Sequence, residues 1–483
     1  MMTVDDIKKT IAELVGSIGE KALEINAMPS SGSSRRYFRV KTDKRFLIGA
    51  FNLNVEENDA FFSFTKHFHE CGLPVPEVLA VSKSKEIYIQ TDLGDVTLFH
   101  HVEDCLKNGH FDPNTIDLYK KSLDKLIDFQ IVGHKGLDYS KAFPTADFDE
   151  MSIMDDLNYF KYCFLKEHEE IAFNETRLDA DFQKLTQYIL EAPSDFFMYR
   201  DFQSRNIMIV DNEPYFIDYQ GGRKGPLQYD VVSLLYQVKA RIPQELRDEL
   251  VEYYKIKLFE RIECDSFDKY FPAFVLLRLL QVLGAYGFRG LIQKKAHFMQ
   301  SIPYAIREIM TVNEKWPLPF ELPELQSVIR QFGILLLKYE YTEPQRLTVT
   351  VNSFSFKSGG VPYDNSGNGG GFVFDCRALP NPGRYPEFKQ VTGEAAAVQE
   401  FMEDKQDTHF FMSNVQLLVY QSIDNYLERG FKHLQINFGC TGGQHRSVYF
   451  AQKIGMLIHE NYPMVNVEIN HLAQHISHYY EAK

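Results

Sequence analysis

The sequence predicts two folded bodies in tandem: a large mixed α/β region of two lobes, then a small α/β domain on a mostly parallel sheet. Three observations predict this. The chain has 483 residues, more than one hydrophobic core usually serves. The stretch KWPLPFELPEL, Lys315 to Leu325, places three prolines where a helix cannot continue. From RLTVTVNSFSF onward the pattern becomes alternating strands and helices, which suits a parallel sheet.

The elements follow in order. IKKTIAELVGSI has the apolar spacing of an amphipathic helix. MPSSGSSRRYFRVKT is a polar Gly/Ser turn entering a strand, and RFLIGAF is a second strand. NDAFFSFTKHFHECG reads as a helix that Gly72 ends. LPVPEVLAVSKSKEIYIQTDLGD reads as two strands and a turn, which completes a first lobe over about residues 1–92. Helical patterns dominate from Thr97 to about Glu314, broken by one β-rich block at 195–220, and give a second lobe over about 97–325. A linker helix is expected over 326–346, followed by the small domain over 347–483. Within it RLTVTVNSF, GFVFDC, HLQINFG and VNVEIN read as strands, NVQLLVYQSIDNYLERG and SVYFAQKIGMLIHENY as helices. SGGVPYDNSGNGGG, 358–371, is a flexible loop by composition.

Composition narrows the function classes. Hydrophobic residues make up 44% and charged residues 24%, as in a folded soluble protein with ample core. No apolar run has the length of a membrane span, and MMTVDDIKKTIAELVG is not a signal peptide, so a cytoplasmic location is expected. The net charge of −14, without a basic run, argues against a general nucleic-acid binder. The six cysteines are scattered without a C-x-x-C pair, which argues against a zinc site and fits reduced thiols.

Most of the chemistry lies in FFMYRDFQSRNIMIVDNEPYFIDYQGG. Phosphoryl transfer from ATP needs a carboxylate to orient or deprotonate the attacking hydroxyl, and oxygen ligands for Mg²⁺. D-x₄-N followed by a strand and I-D supplies them: Asp201 as base, Asn206 and Asp218 as metal ligands. D-x₄-N alone would read equally as a solvated turn, but NIMIV, YFID and GPLQYDVVSLL around it weigh against that.

This block resembles the catalytic core of the aminoglycoside-phosphotransferase-like kinases. It is most similar to the anomeric kinases of N-acetylmuramate and N-acetylglucosamine. Those carry H-R-D-[FY]-H-S-R-N-L-M, I-D-F-Q and G-P-x-x-Y-D-L-V-S-L-L where this chain has YRDFQSRNIM, IDYQ and GPLQYDVVSLL. The resemblance covers roughly 10–320, including SSRRYFRV, TDLGDVTL and LLRLLQVLGAYGFRG. It implies a two-lobed α+β protein-kinase-like fold, ATP and Mg²⁺ as cofactors, and a small sugar as acceptor, phosphorylated on the anomeric hydroxyl of an N-acetylated hexosamine. By the same resemblance Ser31, Gly32, Ser33 and Ser34 form the loop over the nucleotide phosphates. Arg35, Arg36 and Arg39 either serve those phosphates or are strand-edge surface charges. Gln90 to Leu93, with Asp92, bracket the adenine through backbone groups, and Asp230 braces the catalytic loop. Asp155 and Asp156 face the sugar or are helix N-terminal acids favoured by the dipole; Gln203 and Arg289 are further substrate candidates. The departures are Tyr199 and Gln203, where His is usual, and the missing lysine of the third strand. Gly49 stands near that lysine's place, and the anomeric sugar kinases share the lack.

A second constellation is GCTGGQHRS. Gly439, Gly442 and Gly443 permit a tight turn with inward N–H groups, Ser447 opens a helix whose N-terminus favours an anion, and His445 and Arg446 add donors. Without a lysine for a β/γ-phosphate, the loop suits a monophosphate. Cys440 beside this positive field would have a lowered pKa, as in a thiol phosphatase; that is the minor reading. With SFSFKSG and FDCRALPNP, the tail resembles the C-terminal domain of the RapZ family over most of 347–475. The resemblance implies binding of an aminosugar phosphate, carried over to Arg377, Thr441, Gly442, Gly443, His445 and Arg446, with Gln444 in the same loop. Some family members bind small RNAs through a basic tail. HLAQHISHYYEAK is nearly neutral and the late H-R pair reads His471-Leu472, so RNA is not favoured here.

The favoured reading is an ATP-dependent sugar kinase with an aminosugar-phosphate-binding tail. The alternative is a non-catalytic nucleotide-binding regulator whose tail binds RNA or a protein. A kinase of aminoglycosides or choline-like alcohols shares the core, but 148–165 holds few acidic clusters for a polycation. Oligomeric state is open.

Overall fold

The structure is a computed structural model and describes residues 3–28, 35–340, 346–364 and 371–482. The chain divides into two compact units, Met1–Ile292 with Ser301–Leu337, and Gln293–Gln300 with Lys338–Lys483.

The first unit opens with α1 (Val4–Ser17), whose N-terminus is held by a capping box between Thr3 and Asp6. Then come β1 (Ala22–Ala27), β2 (Arg36–Thr42), β3 (Phe46–Phe51), α2 (Val55–Glu70), β4 (Val78–Val81) and β5 (Ile87–Thr91). The strands form an antiparallel sheet in the order β1-β2-β3-β5-β4. Strand alternation divides its two faces. Phe38, Val40, Leu47, Phe51, Ile87 and Ile89 pack on Ile7, Ile11 and Val15 of α1. Tyr37, Ile48, Tyr88 and Gln90 line a cleft on the other face. Gly49 faces α1: a Cβ there would lie 2.7 Å from Ile11 Cδ1, so Gly49 packs a helix and is not at the missing lysine's place.

The second lobe is helical: α3 (Leu98–Asn108), α4 (Pro113–Ile131), α5 (Glu150–Cys163) and α6 (Glu175–Leu190). Four short strands follow, β6 (Phe196–Met198), β7 (Ile207–Val210), β8 (Glu213–Phe216) and β9 (Arg223–Gly225), pairing as β6-β9 and β7-β8. Then come α7 (Leu227–Leu235), α8 (Gln244–Phe259), α9 (Phe267–Tyr286), α11 (Ile302–Lys315) and α12 (Pro323–Glu340), while the one-turn α10 (Ala296–Met299) between α9 and α11 falls to the second unit. With the π-helical turn after it, α9 is long and apolar enough by composition to cross a membrane, against the sequence expectation. It is the unit's core helix: 72% of its apolar window is buried, and it packs on α5, α7 and α11.

The helix expected to link the two bodies is part of the first unit over most of its length. It starts at Pro323, not 326, because Asp181 of α6 accepts the backbone N–H groups of Glu324 and Leu325. Its Phe332 is buried against Phe160 and Phe164.

The second unit contains β10 (Thr348–Ser355), β11 (Gly371–Asp375), α13 (Ala396–Glu403), α14 (Gln406–Glu428), β12 (His433–Cys440), α15 (Arg446–Asn461), β13 (Asn466–His471) and β14 (Ile476–Tyr480). Its sheet runs β11-β12-β10-β13-β14, parallel except for the final pair. Val349, Val351, Ile436, Phe438, Val467 and Ile469 are fully buried in its core. The unit's first strand, β10, is central, and crossovers leave it to both sides. Brändén's rule therefore places a binding crevice at the carboxyl ends of β10 and its neighbours.

Candidate functional site

The candidate catalytic loop around Asp201 is held by buried groups before any ligand is considered. Asp230, at the start of α7, accepts the backbone N–H groups of Tyr199 and Arg200 at 2.7 and 2.9 Å. Burial pushes its carboxyl up to about 7, against the pull of those two N–H groups. Tyr199 is buried and donates its hydroxyl to Ile217 O at 2.6 Å, so it ties the loop to the segment carrying Asp218. Ser204 donates both N–H and hydroxyl to Gln237. Arg200 and Asp218 adopt φ of 78° and 72°, left-handed values that non-glycine residues hold only where their surroundings enforce them.

These constraints bring Asp201, Asn206 and Asp218 together. Asn206 Nδ2 donates to Asp201 O at 2.9 Å and to Asp218 Oδ2 at 3.2 Å, which leaves its amide oxygen for another partner. Gln220 donates to the other Asp218 oxygen at 2.7 Å. Burial and the nearby Asp201 carboxylate raise the Asp218 pKa. A half-buried oxygen cluster with this excess of negative charge fits a hard divalent cation such as Mg²⁺. Gln203 Nε2 lies 3.5 Å from Asp201 Oδ1, at the edge of the same pocket.

The cleft above the loop is lined by Met28, Ile48, Phe61, Tyr88, Met208 and Ile217, with Arg35, Gln90, Asp92 and Asp218 as its polar groups. Ser31, Gly32, Ser33 and Ser34 lie outside the described residues. Arg35 is buried and ion-paired at 2.9 Å with Glu57 of α2, and its charge acts on Asp218. Arg36 points to the opposite face of β2 and is exposed, so it does not reach the cleft. Arg39 is engaged by Asp92 and Asp95, each at 2.7 Å. Gln90 contributes its side chain, not its backbone, because it pairs with both Ile48 and Val78 in the sheet. Its Oε1 is buried without a hydrogen-bond partner among the described residues.

The substrate candidates separate. Asp156 is buried and accepts two hydrogen bonds from Arg200, at 2.8 and 2.7 Å. That guanidinium also lies over the Phe148 and Tyr229 rings. Asp156 therefore orients the catalytic loop, a role sequence reading did not give it. Asp155, next to it on α5, is exposed. Arg289 lies in the turn after α9. Burial and the neighbouring Arg205 and Arg289 guanidiniums hold the Lys239 ammonium below its usual range. Three cations thus converge beside the catalytic loop, with Glu103 as a nearby countercharge.

In the second unit a polar cavity of about 200 Å³ opens at the end of β12. Cys440, Thr441, Gly442, Gln444, His445 and Arg446 line it, joined by Asn381, Gly383 and Lys389. Arg446 is 5% exposed; its Nη1 donates to the carbonyls of Arg377 and Leu379, and its buried Nε has no partner among the described residues. His445 Nε2 donates to Phe388 O. Three expected residues do not line the cavity. Gly443 spends its N–H on Cys440 Sγ, Ser447 is fully buried with its hydroxyl 3.1 Å from that sulfur, and Arg377 forks onto Asp375. Lys389 was missed: it lies more than fifty residues before the loop, in a segment that carries no motif.

The fold and the catalytic loop define a kinase-like phosphotransferase, an enzyme. More particularly, residues 24–264 match the phosphotransferase enzyme family and residues 347–475 match the RapZ C-terminal domain. Similar solved structures include a thermostable mutant of an aminoglycoside phosphotransferase with ADP and hygromycin B, 14% identical, covering 64% of this chain and 99% of that one, TM-score 0.43. A choline/ethanolamine kinase family protein from Mesorhizobium loti is 13% identical, covering 68% and 99%, TM-score 0.43. Among curated proteins, a nucleotide-binding protein of Nitrosomonas europaea is 36% identical over 138 residues, which is 28% of this chain and 45% of that protein. A nucleotide-binding protein of Moorella thermoacetica is 40% identical over 119 residues, 24% and 38%. The chain thus spans less than half the length of these relatives.

Proposed function

We propose that this protein is an ATP- and Mg²⁺-dependent sugar kinase that phosphorylates an N-acetylated hexosamine on its anomeric hydroxyl, and that its second unit binds an aminosugar phosphate. The observation that carries the kinase reading is the cleft lined by Asp218 and by Arg35, the partner of Glu57, with Asn206 hydrogen-bonded to both Asp218 and the Asp201 backbone beside it. ATP would supply the phosphoryl group; Asp218 and the Asn206 amide oxygen would hold Mg²⁺, which would supply neutralising charge. Asp201 orients the acceptor hydroxyl and takes its proton. Arg35, fixed by Glu57, offers the phosphates the positive charge that a third-strand lysine would give. The buried Gln90 Oε1 and the apolar walls suit an adenine with its exocyclic amine.

Arg205, Lys239 and Arg289 favour an acceptor with an anionic group over a polycation, and so N-acetylmuramate over an aminoglycoside. At the second site the buried Nε of Arg446, without a partner among the described residues, and the cation of Lys389 support a phosphate-bearing ligand. The test is ATP consumption with Mg²⁺ against N-acetylmuramate, N-acetylglucosamine and glucosamine. Asp201→Asn should lower turnover by about 10²–10⁴-fold while nucleotide still binds. A chain that turns over none of these sugars, or an Asp201→Asn variant of undiminished rate, would sink the reading.

A further inference from the structure

A side-chain cluster in the second unit belongs to neither site. Glu394 lies just before α13, His471 ends β13, and His478 lies on β14. The antiparallel pairing sets His471 opposite Ile476 and Ile469 opposite His478, so both imidazoles project from the same face of the hairpin. Their ring centroids are 6.1 Å apart. Glu394 Oε1 is 3.2 Å from His478 Nε2 and 3.8 Å from His471 Nε2. Gln452 of α15 brings its Oε1 to 3.3 Å from His471 Nε2.

We propose that Glu394, His471 and His478 form a binding site for a zinc-class divalent transition metal, with the Gln452 amide oxygen or a water in the fourth position. Three physical points carry it. The first is spacing. A tetrahedral ion with ligand bonds of about 2.0–2.1 Å sets its ligand atoms about 3.3–3.4 Å apart. Two of the observed separations, 3.2 and 3.3 Å, lie close to that edge, and all three ligand atoms of Glu394, His471 and His478 fall within 4.8 Å of one another. The second is orientation. His471 is fully buried, and its other nitrogen, Nδ1, lies 3.0 Å from Ser353 Oγ. With Nδ1–H donating to Ser353, the lone pair of Nε2 faces the cluster, the arrangement that fixes a metal-binding imidazole. The third is the donor set. Two imidazoles and a carboxylate are borderline donors that select zinc-like ions over Mg²⁺. The scattered cysteines that argued against zinc have no bearing, because no thiolate is involved.

The site would act as a staple behind the anion cavity. Gly393, adjacent to Glu394, donates its N–H to Gln444 O of the cavity loop. Gln474, in the β13–β14 turn, donates its side chain to Gly443 O. A metal joining Glu394 to the hairpin would therefore tie both supports of the loop together.

Co²⁺ is a suitable probe, because tetrahedral nitrogen and oxygen ligation gives it visible absorption bands. The full chain, freed of any affinity tag and treated with chelator, is titrated with Co²⁺ and then with Zn²⁺. One equivalent of Co²⁺ should develop the bands, and Zn²⁺ should displace it. His478→Ala and Glu394→Gln, both at partly exposed positions, should each weaken binding at least tenfold. Asp218→Asn, which alters the kinase cleft, should leave the bands unchanged. Thermal melting of each variant checks that it folds, and Zn²⁺ should raise the melting temperature of the parent but not of His478→Ala. Absence of the bands in the folded parent, or equal binding by folded His478→Ala, overturns the proposal. The cluster would then be a hydrogen-bonded one, with His471 Nε2–H donating to Gln452.

Discussion

At the scale of the residue, Arg35 does the most with the least sequence signal. It stands just before β2, yet its pair with Glu57 of α2 and its action on Asp218 put a cation where the third strand supplies none. Arg35→Met should weaken ATP binding about tenfold or more, and Arg35→Lys should restore part of it; isothermal titration checks both. Asp230 makes a different prediction. Its folded-state pKa of about 7 exceeds the ordinary aspartate value near 4, so the folded form binds the proton more tightly. The stability it contributes is complete below about pH 4 and is lost as pH rises through about 7. Melting temperature should therefore fall between pH 5 and pH 8 more steeply in the parent than in Asp230→Asn. That Asp201, Asn206 and Asp218 lie together was legible because the segment that presents them is local, spanning less than twenty residues. The duty of Asp156 was not, because Arg200, which occupies it, lies 44 residues away, and only the fold reveals whether a helical acid faces a sugar or a guanidinium.

At the scale of the element, backbone contacts decide more than periodicity does. The strands and helices could be read from apolar spacing, since each presents one face to a core. What packs on what could not. The supposed linker is docked by Asp181 and Phe332, interactions made across the lobe that no local pattern encodes. The anion loop depends likewise on a distant glycine. A Cβ at Gly393 would lie 2.2 Å from His445 O and 2.5 Å from Tyr449 N, so the 391–394 segment and the start of α15 approach more closely than any other residue allows. Gly393→Ala should destabilise the second unit by about 1–3 kcal/mol. It should also weaken aminosugar-phosphate binding while leaving ATP turnover intact, which separate titration and kinase assays would show.

At the scale of the whole molecule, each unit buries a core of its own. Two cores predict two heat-absorption peaks in calorimetry, since cooperativity belongs to a core and not to a chain. A nucleotide should raise one peak and a sugar phosphate the other; a single peak shifted by both ligands would show that the units melt as one. The second unit also carries a constraint of timing. Its central strand, β10, ladders only with β12 and β13, and these begin at His433 and Asn466. Strand β11, made next, pairs with β12 and not with β10. During synthesis, then, β10 waits on the ribosome with both edges open until about eighty-five further residues have emerged. Over that interval a strand rich in Thr and Val, of high β-propensity, is exposed, so any assistance from a chaperone falls on the second unit after the kinase core has closed.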